Sequence, residues 1–161
     1  QNHSSEFFLR ARYVYDRELQ AIRQTEEVEA DEERGFFDEL YLFKTRKMYS
    51  TDLRTKECRV HDIPSNFPFP EHVVPEEAEY FGPLTIGVER DEVLVNSFHL
   101  RDEREEGYDI FHVTRPAPGT DFCGFVSHDH FSNATGYTTF RFFNVTMGAS
   151  PSEFTPPSEC S

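Results

Sequence analysis

The chain has no tryptophan, only three cysteines in 161 residues, and 16 basic residues against 30 acidic ones. A formal charge of −14 argues against nucleic acid as a partner, because phosphate binding needs clustered Lys and Arg. The same charge disfavours simple attraction to anionic membranes and is compatible with divalent cations. No apolar run approaches the roughly 20 residues of a membrane helix, so no membrane span is expected. G-x-S-x-G, H-E-x-x-H, C-x-x-C and phosphate-cradling glycine loops are missing. Without a nucleophile–base or metalloprotease pattern, the chain is expected not to be an enzyme and to require no cofactor. It begins at Gln1 with no apolar leader, which reads as a mature product, its signal removed, or as a fragment.

What the chain does hold is aromatic: 17 Phe and 7 Tyr in a sequence whose mean hydropathy is −0.65. That combination fits a polar exterior around an aromatic interior. Strand signals recur along it. Phe7 to Asp16 reads as a strand. The segment around Leu19 and Ala21 reads as either an extended continuation or a short helix, since E-L-Q-A-I-R holds good helix formers. Phe36 to Phe43 carries large apolar groups on both faces, which predicts a central strand covered on both sides. Met48 to Leu53, Glu92 to Leu100 and Tyr108 to Thr114 are further strands, the last two forming a hairpin. Tyr137 to Met147 is expected as a long final strand. The prolines from Pro64 to Pro75 predict an irregular stretch onto which Phe67 and Phe69 tuck. Pro75 to Ala78 has the composition of a short helix start. After Met147, Gly148 and three prolines forbid regular pairing, so the isolated Phe154 predicts a tail pinned to the core. Short strands joined by polar turns predict one mostly β domain over residues 1–161.

Weaker signals carry competing readings. Glu26 to Arg34 is an acidic cluster, read as a solvated hairpin tip; the sharper alternative is a calcium site, although EF-hand spacing is absent. His128 and His130 flank Asp129. They read as loop histidines, but on a strand they would share a face and could meet a metal, without an evident third ligand. The metal residues are therefore left unassigned. Asn2, Asn133 and Asn144 sit in N-x-S/T sequons, which together with the cysteines argue for secretion. Asn144 is the questionable one, because its neighbours are apolar.

These stretches also carry a resemblance. R-F-F-N-V-T-M-G (Arg141 to Gly148) followed by P-S-E-F-T-P-P-S-E-C (Pro151 to Cys160) resembles the terminal motif of the ependymin and ependymin-related proteins. D-E-L-Y-L-F (Asp38 to Phe43), Met48-Tyr49, T-K-E-C (Thr55 to Cys58), Y-F-G-P-L-T-I-G (Tyr80 to Gly87) and Tyr108 to Thr114 follow the family in the same order. The resemblance runs from about Tyr13 to Cys160 and favours a hairpin over a helix near Leu19. It implies two stacked, curved antiparallel sheets in a half-barrel similar to lipoprotein carriers, with an apolar cleft and one or two short helices.

The expected disulfide is Cys58–Cys160. The resemblance pairs Cys123 with a cysteine near the family's N-terminus. No cysteine precedes Cys58 here, so the expectation is that the family's first strand is missing; the rival reading has Cys123 bridging two chains or staying free. For function, the resemblance implies a secreted glycoprotein, extracellular or in the lysosomal lumen, often a homodimer. It would bind a lipid-like ligand in a pocket lined by residues such as Tyr41, Phe43, Phe98, Phe111, Phe140 and Phe142, with calcium and extracellular matrix or cell adhesion as associated roles. The alternative is an acidic calcium-binding matrix or biomineral component in which the carboxylates and glycans act and the β domain is a scaffold.

Overall fold

Successive side chains of a strand point to opposite faces, so a strand with large apolar residues at both parities must be covered twice. The computed structural model describes residues 7–30, 33–72, 74–102, 106–133 and 136–160, and they are mostly antiparallel β-structure. Strands β1 (Phe7–Asp16), β2 (Ala21–Ala30), β3 (Glu33–Leu42), β4 (Lys47–Asp52) and β5 (Cys58–Asp62) form a five-stranded sheet in sequence order. A second five-stranded meander comprises β6 (Glu79–Val88), β7 (Asp91–Asp102), β8 (Gly107–Thr114), β9 (Phe125–Ser132) and β10 (Gly136–Arg141). The chain divides into two compact units, Gln1–Phe69 with Gly148–Ser161, and Pro70–Met147. Among the described residues no helix is long and apolar enough to cross a membrane.

In the first unit β3 is central and both its faces are covered, as its composition predicts. Leu40 packs with Ala21 and Phe154, flanked by Val14, Leu42, Tyr49 and Ala149. This is the face that receives the C-terminal tail. Two single 3-10 turns, Pro151–Phe154 and Ser158–Cys160, shape that tail. Its contacts are polar as well as apolar. Arg23 holds Asp38 through Nε at 2.9 Å and Nη2 at 2.6 Å, and its Nη1 donates to the Glu153 carbonyl at 2.8 Å. Arg12 makes a two-pronged pair with the Glu153 carboxylate at 2.8 and 3.0 Å. A disulfide joins Cys58 to Cys160, with Cα atoms 5.1 Å apart. On the opposite face, Phe43 packs with Ile22 and Ile63, and with Tyr15, Tyr41, Met48 and Phe69 around them. Phe67 and Phe69 do tuck in: their rings lie 6.1 and 5.2 Å from that of Phe43.

Several elements differ from expectation. Glu26, Glu27 and Glu29 are not a hairpin tip; they lie within β2, where Glu26 and Glu27 are half-buried, while Asp31 and Glu32 fall outside the described residues. Strand β5 gives no alternation signal because it is an edge strand with four of its five residues exposed. β6 accommodates Gly82 and Pro83 because it is also an edge and bulges between Tyr80 and Gly82, the two settings that tolerate such residues. Pro75–Ala78 is a single turn closed by the Ala78 amide on the Pro75 carbonyl, not a helix. The polar stretch from Ser127 is strand β9, and Ser127, His128, Asp129 and His130 are hydrogen-bonded to side chains of neighbouring strands. The final strand stops at Arg141 rather than Met147; Asn144 follows at φ 54°, a left-handed conformation that breaks pairing.

Two measurements test the pinned tail. Replacing Cys58 and Cys160 by Ser is expected to lower the unfolding free energy by about 2–5 kcal/mol. Phe154→Ala, at a site only 6% exposed, is expected to cost about 3–5 kcal/mol. Denaturant titration reads both, and unchanged midpoints would refute the docking.

Candidate functional site

The face of the first sheet opposite the tail is built by register. Tyr13 pairs with Gln24, Gln24 with Glu39, and Glu39 with Ser50. In the next row Tyr15, Ile22, Tyr41 and Met48 follow one another across β1 to β4. A shared register puts each row on one face. The result is an amphipathic surface with aromatic rings, two glutamates and a methionine. Beside it lies a cavity of about 380 Å³ lined by Tyr41, Met48, Asp62, Ile63, Pro64, Asn66 and Phe67. Its size is at the lower end of ordinary ligand pockets, and its apolar lining with few polar groups is typical of them. A second cavity of about 390 Å³ includes Arg10, Arg12, Glu26, Glu27, Thr25 and Phe36; its lining is charged and part of it is already engaged by the tail through Arg12.

The polar groups of this face are unusual in their pairing. Tyr41 donates its hydroxyl to Glu39 Oε2 at 2.7 Å, and the Gln24 amide donates to Glu26 Oε2. Burial pushes the Glu26 carboxyl above the ordinary glutamate range; the Gln24 hydrogen bond opposes this and the Glu39 charge adds to it. Burial, then the hydrogen bond to Glu39, pushes the Tyr41 hydroxyl well above the ordinary phenol range. Burial disfavours the charged form of each group, as expected on a half-dry surface.

The second unit presents a different arrangement. Tyr80, Phe98, Phe111, His128 and Phe140 occupy one register row across all five strands. Tyr80 and Phe98 lie 5.2 Å apart, Phe111 stacks on His128 at 4.4 Å, and His128 on Phe140 at 5.6 Å. One row further along, Asp109 pairs with His130. Asp109 Oδ1 lies 2.7 Å from His128 Nε2 and 2.9 Å from His130 Nδ1. The two histidines therefore do share a face, on a strand rather than a loop, and Asp109 ties them together. Asp129 points the other way, to Arg141 at 2.9 Å and Tyr137 at 3.0 Å. Burial would raise its carboxyl, but the bonds from Arg141, Thr139 and Tyr137 outweigh this and hold it below the ordinary range. On that same side His112 Nδ1 meets Ser127 Oγ at 2.8 Å; Ser127 is 5% exposed, so its hydroxyl serves structure.

The six aromatics read as pocket candidates fall in both units. Tyr41 lines the 380 Å³ cavity, and Phe43 belongs to the aromatic cluster beside it. Phe98, Phe111 and Phe140 belong to the row of the second sheet, and Phe142 stacks on Phe125 at 4.8 Å. Sequence reasoning missed Met48, Ile63 and Phe67 as cavity residues. The spacing Met48–Ser50 on one strand parity and the Phe-Pro-Phe run beside Ile63 were the available signals. Cys123 is half-buried and free of any disulfide. Asn133 lies at the β9–β10 turn and Asn144 in the irregular segment after β10, both exposed; Asn2 lies outside the described residues.

A family model described as Ependymin matches residues 31–160. No curated protein matches the chain. Calcium, which the resemblance implied, needs six to eight converging oxygens. Among the described residues no three His, Cys, Asp or Glu side chains are grouped so as to hold a metal ion.

Glu26 supplies a pH test. A carboxyl raised on folding adds stability below its unfolded pKa, near 4.5, and that contribution is lost as pH rises through the folded value. Glu26→Gln is therefore expected to raise the melting temperature at pH 7, with the gain shrinking towards zero below pH ~4. Thermal unfolding across pH 3.5–8 reads this; a variant destabilised at pH 7 would contradict it.

Proposed function

We propose that this chain, which belongs to the ependymin family by its match over residues 31–160, is a secreted, non-catalytic glycoprotein that binds a hydrophobic, lipid-like ligand. Family membership suggests a secreted calcium-binding glycoprotein; the lipid-like ligand is the finer step. The observation that supports it is the apolar cavity formed by Tyr41, Met48, Ile63 and Phe67 against the Phe43 cluster. Burying apolar ligand surface there is worth roughly 25 cal/mol per Å² before the costs of association.

A homodimer is a natural partner reading. β6 is an edge strand, and its hairpin with β7 exposes Tyr80, Phe81, Leu84, Ile86, Val88, Val93 and Leu94. Apolar edges of this kind favour pairing with another chain. The second functional reading is an acidic, calcium-binding matrix or adhesion component. It draws on the charge of −14 and on exposed Asn133 and Asn144 as glycan positions.

Native mass spectrometry of protein from a eukaryotic secretory host separates the readings. The expected result is a co-purifying lipid-sized mass adduct that organic extraction removes, with glycan mass on the chain. An adduct-free protein that takes up no added fatty acid and holds many weak calcium ions would overturn the ligand reading in favour of the second.

A further inference from the structure

We propose, resting on the hydrophobic-ligand reading, that the face of the first sheet opposite the tail selects a cationic amphiphile, its chain against Met48, Ile63 and Phe67 and its charge at Glu26 and Glu39. Glu26 and Glu39 lie on neighbouring strands, Glu39 opposite Gln24 and Glu26 two residues further along β2. That is a diagonal pair, roughly 7–8 Å apart between backbones. Both are half-buried, and the side chains that hydrogen-bond to them are neutral, Gln24 to Glu26 and Tyr41 to Glu39. Five basic groups of the unit are engaged with other partners, and Arg10, exposed on β1, lines the second cavity together with Glu26. Arg23 holds Asp38, Arg12 holds Glu153, Arg34 holds Glu27 and Lys47 holds Asp62. Arg46 donates to the carbonyls of Pro64 and Phe67. Arg59 shares the face, but it is exposed on the edge strand with Ser50 between it and Glu39, and no ion pair joins them.

Two like charges on a half-dry surface repel, and a cation placed between them relieves both. The upward push that Glu39 gives the Glu26 carboxyl is that repulsion. The surroundings suit an organic cation better than a bare metal ion. Tyr13 lies in the row of Glu39, and Tyr15 and Tyr41 in the next. Aromatic faces beside carboxylates attract quaternary ammonium groups through the ring quadrupole. Two carboxylates and a phenol fall well short of a calcium cage. Tyr41 links the two halves of the site: its hydroxyl holds Glu39, and its ring lines the apolar cavity. An anionic head group would meet the two glutamates instead, within a chain of charge −14.

The test is isothermal titration of the full chain at neutral pH with dodecyltrimethylammonium, dodecyl maltoside and dodecyl sulfate, each below its micelle threshold. The cation is expected to bind at least about tenfold tighter than the sulfate. Glu26→Gln with Glu39→Gln is expected to weaken the cation by about tenfold or more and to leave the maltoside within about twofold. Glu89→Gln with Glu92→Gln removes the same charge from exposed positions of the other unit and is expected to change neither. Equal losses in the two double variants would assign selectivity to overall charge and overturn the inference. So would sulfate binding as tightly as the cation. In both cases maltoside binding that Met48→Glu abolishes keeps the hydrophobic-ligand reading intact. If none of the three amphiphiles binds, that reading fails as well.

Discussion

The structure depends on how the C-terminal tail closes one face of the first sheet. Asp38 is 5% exposed, and a carboxylate so placed must be paired and hydrogen-bonded. Arg23 supplies both needs, and Thr25 adds a bond at 3.1 Å. The guanidinium's Nη1 remains, and it donates to the Glu153 carbonyl. Thus a buried charge in the sheet fixes the position of a backbone atom 130 residues away. Phe154 follows into the apolar space beside Leu40 and Ala21, and the Cys58–Cys160 bridge holds the end against β5. Each contact alone is modest. Their convergence on a short proline-rich segment makes the docking specific.

Closing one face has a consequence for the other. The tail supplies Phe154 and Ala149 to the side of Leu40 and Leu42. The opposite side is covered differently, by Ile63 and Phe69 from the segment after β5. That segment caps only the Phe43 end of the surface. Towards Glu39 and Glu26 the face grades from aromatic to acidic, and the cavity lies at the aromatic end, beside Tyr41 and Met48. Fold and function are linked here by parity alone: shifting β3 by one residue would exchange Leu40 and Leu42 for Tyr41 and Phe43.

Much of this was legible in the sequence, for identifiable reasons. β3 announced itself because both parities carry large apolar residues. The tail announced itself because a lone Phe154 among prolines has no other means of burial. Antiparallel meanders follow from short strands with polar turns. Edge strands were not legible. β5 exposes most of its residues and β6 carries Gly82 and Pro83, so neither shows the pattern that burial imposes. β9 was hidden for a different reason: its His128, Asp129 and His130 are satisfied by Asp109, Arg141 and Tyr137, partners from other strands. The glutamates of β2 looked like a solvated tip because sequence shows charge but not the neighbour across the ladder. The cavity residues Met48, Ile63 and Phe67 come from separate segments that only the register and the returning loop bring together.

The central claim is that the two faces of the first sheet have separate tasks, the tail sealing one and ligand occupying the other. Photolabelling with a short alkyl diazirine, followed by peptide mapping, tests it most directly. The account predicts labels concentrated on peptides containing Met48 and Ile63–Phe67, competed away by an unlabelled amphiphile, with Leu40 and Phe154 protected. Competable labelling at Phe154 or Ala149, with none at Met48 or Phe67, would contradict it.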